Sequence, residues 1–268
     1  MLDFFYSKKK IKNLEKKLEG KLPVTKEELF ILVNSWGRTQ DIDINNEIFD
    51  FKYKYKTSFS NNYYDLSKLD TSEITNMFFI FAHSNFNGDI SNWDVSNVTS
   101  MDSMFWNSKN FNQDISQWDV SNVTSMLEMF YRAESFNQNI SNWNTSNVKT
   151  MNSMFANAKG FNQPIGSWDV SNVTNMNWMF LEAESFEQPI LFEVNEKCYL
   201  KWMFKKTSSF INKFNEGNPL PEDSNDIKEW LNDNREKMND FDLKDKHGEE
   251  IDNFFSKLQL LAINNKDR

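Results

Sequence analysis

The chain predicts an α/β repeat fold: a right-handed solenoid whose 25-residue coils each carry one short parallel strand and one short helical turn, with helical caps at both ends. Three observations predict it. The 25-residue segment at 86–110, FNGDISNWDVSNVTSMDSMFWNSKN, recurs almost unchanged from 111, 136 and 161; within each copy the apolar spacing changes from extended to helical; and the flanks differ in composition from the array they enclose. The resulting division is an N-terminal cap over 1–64, a repeat array over 65–210 with its core repeats at 86–190, and a C-terminal cap over 211–268.

Fixed spacing puts identical residues in columns. Phe86, Phe111, Phe136, Phe161 and Phe186 form one, and Ile90, Ile115, Ile140, Ile165 and Ile190 another. Trp93, Trp118, Trp143 and Trp168 form a third, followed by a Val column from Val98 and a Met column from Met104. Two degenerate copies flank them: 69–81 matches 93–105 at an offset of 24, and 186–210 has lost the WDVSN run. Atypical end units are expected where a repeat stack must close its core.

Ile90, Trp93 and Val95 read as one side of an extended segment, with Asp94 pointing away. Met101, Met104, Phe105 and Ser108 follow an i, i+3, i+4, i+7 spacing, so a single helical turn is expected there with Thr99 or Ser100 as its N-cap. One unit cannot bury its apolar edge alone; copies must stack, and columns become ladders. The asparagines at 97, 122, 147 and 172, and at 87, 112, 137 and 162, are expected as turn residues that tolerate left-handed backbone and satisfy backbone groups from coil to coil.

Both flanks read as caps. Thr25 with Glu28 fits a capping box, Leu29 to Val33 form an apolar helix body, and Gly37 suits the helix end. Residues 41–55 alternate as a strand would against the first repeat. Ile11, Leu14 and Leu18 among lysines read as a solvated helix with a thin apolar stripe in preference to a membrane-surface helix. Beyond the array, Ser224 is expected to N-cap a helix with Ile227, Trp230 and Leu231 on one face, and a second helix is expected over 249–263. These read as a cap, with an independent docking helix as the alternative.

Composition narrows the function classes. With 39% apolar residues the chain can build a core, and no run approaches the roughly 18–20 apolar residues of a spanning helix. The lysine-rich start leaves no room for a signal-peptide apolar region, so a cytoplasmic location is expected on that ground. Net charge is −9, and residues 86–204 hold 13 Asp or Glu against 6 Lys or Arg, so nucleic acid is not an expected partner and a basic protein is. The lone Cys198 forms no internal disulfide and reads as a small buried residue. His83 and His247 stand in no metal or catalytic spacing, and no phosphate-binding or metallohydrolase motif occurs, so no enzyme, cofactor or metal is expected. His83 is expected at the surface of the first degenerate repeat. The Asp94, Asp119, Asp169 column, interrupted by Asn144, reads as a solvated acidic stripe in preference to a calcium site.

WDVSNVTSM followed by MF, a small residue and FNQ resembles the BspA-type leucine-rich repeat of bacterial surface proteins, closely over 86–190. The resemblance implies a leucine-rich-repeat-like solenoid, a cell-surface or secreted location, and adhesion or host-protein binding of the kind proposed for some members. The chain departs from that pattern in showing no secretion signal, lipobox cysteine or anchor.

Two faces are candidates for a partner. The strand face offers Asn92, Asp94, Gln117, Asp119, Asn144 and Asp169. The helical-turn face offers Trp106, Tyr131 and Leu181 in one column with Trp178 nearby, either as interface anchors or as covers of the neighbouring turn. The expected function is a non-enzymatic protein-binding module that is itself a monomer. An intracellular immunity-like protein, a structural scaffold and an enzyme hidden in the caps are the alternatives.

Overall fold

The computed structural model describes residues 16–19, 22–34 and 65–241. The predicted strand over 41–55, the helix over 249–263, and Ile11, Leu14, Gly37 and His247 lie outside the described residues. Three helices flank a stack of irregular coils: α1 (Lys26–Asn34), α2 (Ser208–Asn215) and α3 (Ser224–Asp233).

Successive units meet through single parallel bridges. Asn76 pairs with Ser100, Ser100 with Ser125, Ser125 with Thr150, Thr150 with Asn175, and Asn175 with Tyr199. Each bridge opens a short ladder. In the first unit, the N–H groups of Met101, Ser103, Phe105 and Asn107 donate to the carbonyls of Ser125, Leu127, Met129 and Tyr131 in the next, while those of Met104, Trp106 and Ser108 turn back on their own unit. Alternation requires alternating backbone handedness. Ser103 and Asn107, Glu128 and Arg132, Ser153 and Asn157, Trp178 and Glu182, and Trp202 and Lys206 all sit at φ between 51° and 60°. Every second amide is thereby aimed at the neighbouring unit, and the ladder is too short and too twisted to form a named strand.

This ladder differs in place from the expected strand. Residues 90–98 make two tight turns instead, closed by Trp93 N–H to Ile90 and Val98 N–H to Val95. Residues 101–108, expected as a helical turn, carry the inter-unit ladder. The reason is backbone satisfaction: a single helical turn would bond only itself, whereas ladder amides find partners in the next unit. Thr99 and Thr124 accordingly donate their hydroxyls to Thr75 and Thr99 carbonyls one unit back. Only Ser100 retains a cap-like contact, accepting from Asp102 N–H at 3.4 Å.

Columns in sequence are ladders in space. Phe105, Phe130, Phe155, Phe180 and Phe204 stack at 5.4–5.9 Å between ring centroids, and Phe111, Phe136, Phe161 and Phe186 at 5.9–6.1 Å. Each Trp indole N–H reaches back more than a full unit: Trp118 to the carbonyl of Ile90, Trp143 to Ile115 and Trp168 to Ile140, all at 3.1 Å. The column is therefore apolar on its face and hydrogen-bonded at its tip.

Asparagines staple successive units, as their spacing predicts. The Asn122, Asn147 and Asn172 amides donate to Ser96, Ser121 and Ser146 carbonyls at 2.7 Å. The Asn87, Asn112 and Asn137 side-chain oxygens accept the backbone N–H of the residue 25 further on. None of these asparagines has positive φ; that geometry falls on the ladder positions above.

At the N-terminal end, Val24 N–H donates to the Asp70 carbonyl, and Leu29, Leu32 and Val33 of α1 are buried against the core. Thr25 and Glu28 form the predicted reciprocal capping box, at 2.9 and 3.3 Å. At the other end α2 carries Phe210, stacked on Phe204 at 4.4 Å and on Phe186 at 6.0 Å, so it extends both phenylalanine ladders. Ile227 and Leu231 of α3 lie buried, with Trp230 half-buried against Phe210. The N-cap of α3 is Asp223, which accepts from Asn225 N–H; Ser224 is the first helical residue, and its hydroxyl accepts from Leu200 N–H. A carboxylate one residue earlier satisfies the helix start, leaving the serine to tie the cap to the last unit.

Candidate interaction surface

The acidic stripe is exposed at Asn92, Asp94, Gln117, Asp119, Asn144 and Asp169. Its carboxylates are engaged within their own units. Asp94 accepts from the Ser96 hydroxyl and N–H at 2.6 and 2.9 Å, Asp119 from Ser121 N–H at 3.0 Å, and Asp169 from Ser171 N–H at 2.9 Å. Asn144 makes the same pair of bonds to Ser146, at 2.7 and 3.2 Å, so the column is a series of Asx turns that a neutral amide serves as well. Hydrogen bonds from the following serine hold the Asp94, Asp119 and Asp169 carboxyls below the usual aspartate range. Among the described residues, no group of three or more His, Cys, Asp or Glu could hold a metal ion.

The ladder face, built from the residues expected as a helical turn, is where the units diverge. Its outward positions read Asp102, Leu127, Asn152, Asn177, Lys201; then Ser103, Glu128, Ser153, Trp178, Trp202; then Trp106, Tyr131, Ala156, Leu181, Lys205. Trp106, Tyr131, Trp178, Leu181 and Trp202 are all half-buried, lying across the ladder with part of each side chain open to solvent. The rings fall into two groups. Trp106 contacts Phe79 at 5.5 Å and Tyr131 at 6.2 Å, with the Arg132 guanidinium 5.4 Å from the Tyr131 ring. Trp178 contacts Trp202 at 5.6 Å, and Lys201 and Lys205 lie over the Trp202 ring at 4.3 and 5.0 Å. Between them Ser153 and Ala156 are small and buried.

Charge is graded along this face. Asp102 accepts from the Ser125 hydroxyl and from Leu127 N–H at 3.0 Å, and burial pushes the nearby Glu128 carboxyl up. The run 197–206 in the fifth unit holds Lys197, Lys201, Lys205 and Lys206 and no acid. Tyr199 beside them is 63% exposed, the most open large side chain among the described residues. Sequence reasoning picked out Trp106, Tyr131, Trp178 and Leu181 but missed Asp102, Glu128, Trp202 and the lysines. Their signal was present in the divergence of ladder positions between otherwise constant copies.

Two groups with chemical potential are engaged in structure. Cys198 is buried, which raises its thiol to about 11 and keeps it protonated. His83, expected at the surface, is only 6% exposed; its Nδ1 lies 2.9 Å from Asn107 Nδ2 and its ring meets Trp106 edge-on at 4.5 Å. The left-handed backbone at His83 turns the ring inward under the next unit.

A family model described as a Mycoplasma protein of unknown function, DUF285, matches twice, over residues 49–147 and 119–217. Together the matches run from 49 to 217, well over half of the 268 residues. The chain belongs to this family. The DUF285 matches take in both degenerate flanking units, so 69–81 and 186–210 are part of the tandem array. No curated protein matches the chain. No helix among the described residues is long and apolar enough to cross a membrane.

Proposed function

We propose that this DUF285 array is a non-enzymatic protein-interaction module that holds its partner on the ladder face. The supporting observation is where the copies differ. The Asx-turn stripe keeps Asp, Asp, Asn, Asp at one position because its side chains close a turn in every unit. The ladder face varies from Asp102 to Lys201 and from Ser103 to Trp202 while the hydrogen bonds beneath it are unchanged. Variation freed from the stacking constraint, together with part-open Trp and Tyr, is what an interface anchor requires. We read the stack as a right-handed, leucine-rich-repeat-like solenoid with helical caps, and, from the BspA-type resemblance, as a bacterial surface or adhesion protein.

The decisive experiment is affinity capture from native cells with wild type, W106A/Y131A and D94N/D119N. The aromatic variant is expected to lose the partners that wild type recovers, while the Asn variant, which mimics Asn144, keeps them. The reverse pattern would move the interaction to the acidic stripe, and identical recovery by all three would remove both faces.

A further inference from the structure

The ladder face is complementary to itself. Its first two units carry Asp102, Glu128, Trp106 and Tyr131; its fourth and fifth carry Trp178, Leu181, Trp202, Lys205 and Lys206; the third offers only Ser153, Ala156 and Asn157 at these outward positions. One end is acidic and aromatic, the other basic and aromatic, and the middle is low. A two-fold axis perpendicular to the face and passing through the third unit exchanges the first unit with the fifth and the second with the fourth. It also reverses the residue order within each unit. Asp102 then opposes Lys206 of a second copy, Trp106 opposes Trp202, and Tyr131 opposes Trp178. On the axis Ser153 meets Ala156, small against small. No like charges are brought together, because Arg132 falls opposite Asn177 and Glu182 opposite Leu127.

We propose that a second copy of this chain occupies the ladder face in an isologous dimer built on that axis. The inference takes the ladder face as the interaction surface and names its occupant. Opposite charge at the two ends of one face, separated by small residues, is the pattern a two-fold contact requires, since each residue meets its counterpart twice. It departs from the monomer expected from the sequence. Trp106 and Trp202 each contribute an indole face or edge to the other copy, and the lysines that pack on Trp202 lie within reach of the opposing acidic end. The footprint is small. Five units by about 17 Å of ladder make on the order of 400 Å² per copy, below the roughly 1,200–2,000 Å² total of tight complexes, so the dimer is weak and concentration-dependent.

Sedimentation equilibrium of the full chain from about 1 to about 500 µM tests this directly, in the range where small interfaces form. Wild type is expected to pass from monomer to dimer. K205E/K206E, at side chains on the outside of the stack, and W106A/Y131A are each expected to raise the dimer dissociation constant by about tenfold or more, with D94N/D119N unchanged. A cross-link fixes the geometry. Y131C mixed with W178C should form a disulfide-linked dimer that neither gives alone, with buried Cys198 as an inert background; Ser103 and Ser153 show that a small residue fits the Trp178 column. A single monomeric species at every concentration overturns the proposal, as does a dimer indifferent to both ladder-face variants or a mixture without the cross-link. If the chain is monomeric yet W106A/Y131A still loses a captured partner, the dimer falls and the ladder face remains an interaction surface.

Discussion

At the residue scale, the side chains that hold the units together are polar atoms with one assigned acceptor each. The indole N–H of Trp143 is the only polar atom of a buried ring, and it reaches the Ile115 carbonyl at 3.1 Å. Trp143→Phe keeps most of the apolar contact but leaves that carbonyl without its indole donor; a loss of about 1–3 kcal/mol is expected by urea denaturation, beyond what lost area explains. The Asx-turn column behaves differently because it faces water. Asp94, Asp119 and Asp169 have carboxyls held below the unfolded value of 3.8 by serine hydrogen bonds. Their contribution to stability is complete above the unfolded value and disappears as pH falls below 3.8 through the lowered folded values. D94N/D119N/D169N should accordingly flatten the acid limb of the stability profile while leaving neutral-pH stability near wild type. A steeper acid limb in that triple variant would refute the Asx-turn account. Glu128 runs the other way: burial raises its carboxyl above 4.5, so ionisation costs stability as pH rises through the folded value.

At the scale of the element, the caps close the stack with opposite chemistry. The N-terminal helix α1 is started by a reciprocal Thr25 and Glu28 pair, and α3 by a single Asp223 carboxylate. Thr25→Ala and Asp223→Ala should each cost about 1 kcal/mol, measured by thermal unfolding. Phe210 occupies a more demanding place, because it is both a residue of α2 and the last ring of two ladders. Phe210→Ala opens a cavity between the array and its cap, with an expected loss of about 3–5 kcal/mol and earlier proteolysis beyond residue 205. Cleavage unchanged from wild type would show that α2 is not what closes the stack. Asp223 was one residue away from the serine that sequence favoured. Both residue types cap helices, and only the fold says which hydroxyl is needed elsewhere, in this case by Leu200.

At the scale of the whole molecule, each unit bonds mainly to its neighbours, so stability is expected to behave as a sum of units and contacts between them. Deletion of residues 111–135, one complete unit, brings Asn110 to Phe136 and restores every column. That variant should still fold cooperatively with a lower melting temperature, whereas deleting 12 residues from the same place misaligns every ladder and should abolish the transition. Equal outcomes in circular dichroism melts would contradict a nearest-neighbour stack. Removing a unit also shortens the ladder face and shifts the acidic end relative to the lysines. Unit deletion should therefore impair association through that face more than it impairs folding.

Sequence alone determined the period, the columns, the asparagine staples, the Thr25 capping box and the absence of a recognisable catalytic motif. These follow from identity at fixed spacing, since residues 25 apart that never vary must meet the same environment in each unit. Tertiary structure decided where the backbone hydrogen bonds run. Met101, Met104 and Phe105 carry the same spacing in a helical turn as in a ladder of alternating handedness, and only a neighbouring carbonyl, such as that of Ser125 for Met101 N–H, tells the two apart. For the same reason the acidic stripe drew notice that its Asx turns explain, and His83 was expected outside although Asn107 and Trp106 of the following unit cover it. The graded charge of the ladder face was likewise visible in sequence only as scattered differences. Stacking places Asp102 four units from Lys201, and that separation is a property of the assembled coils.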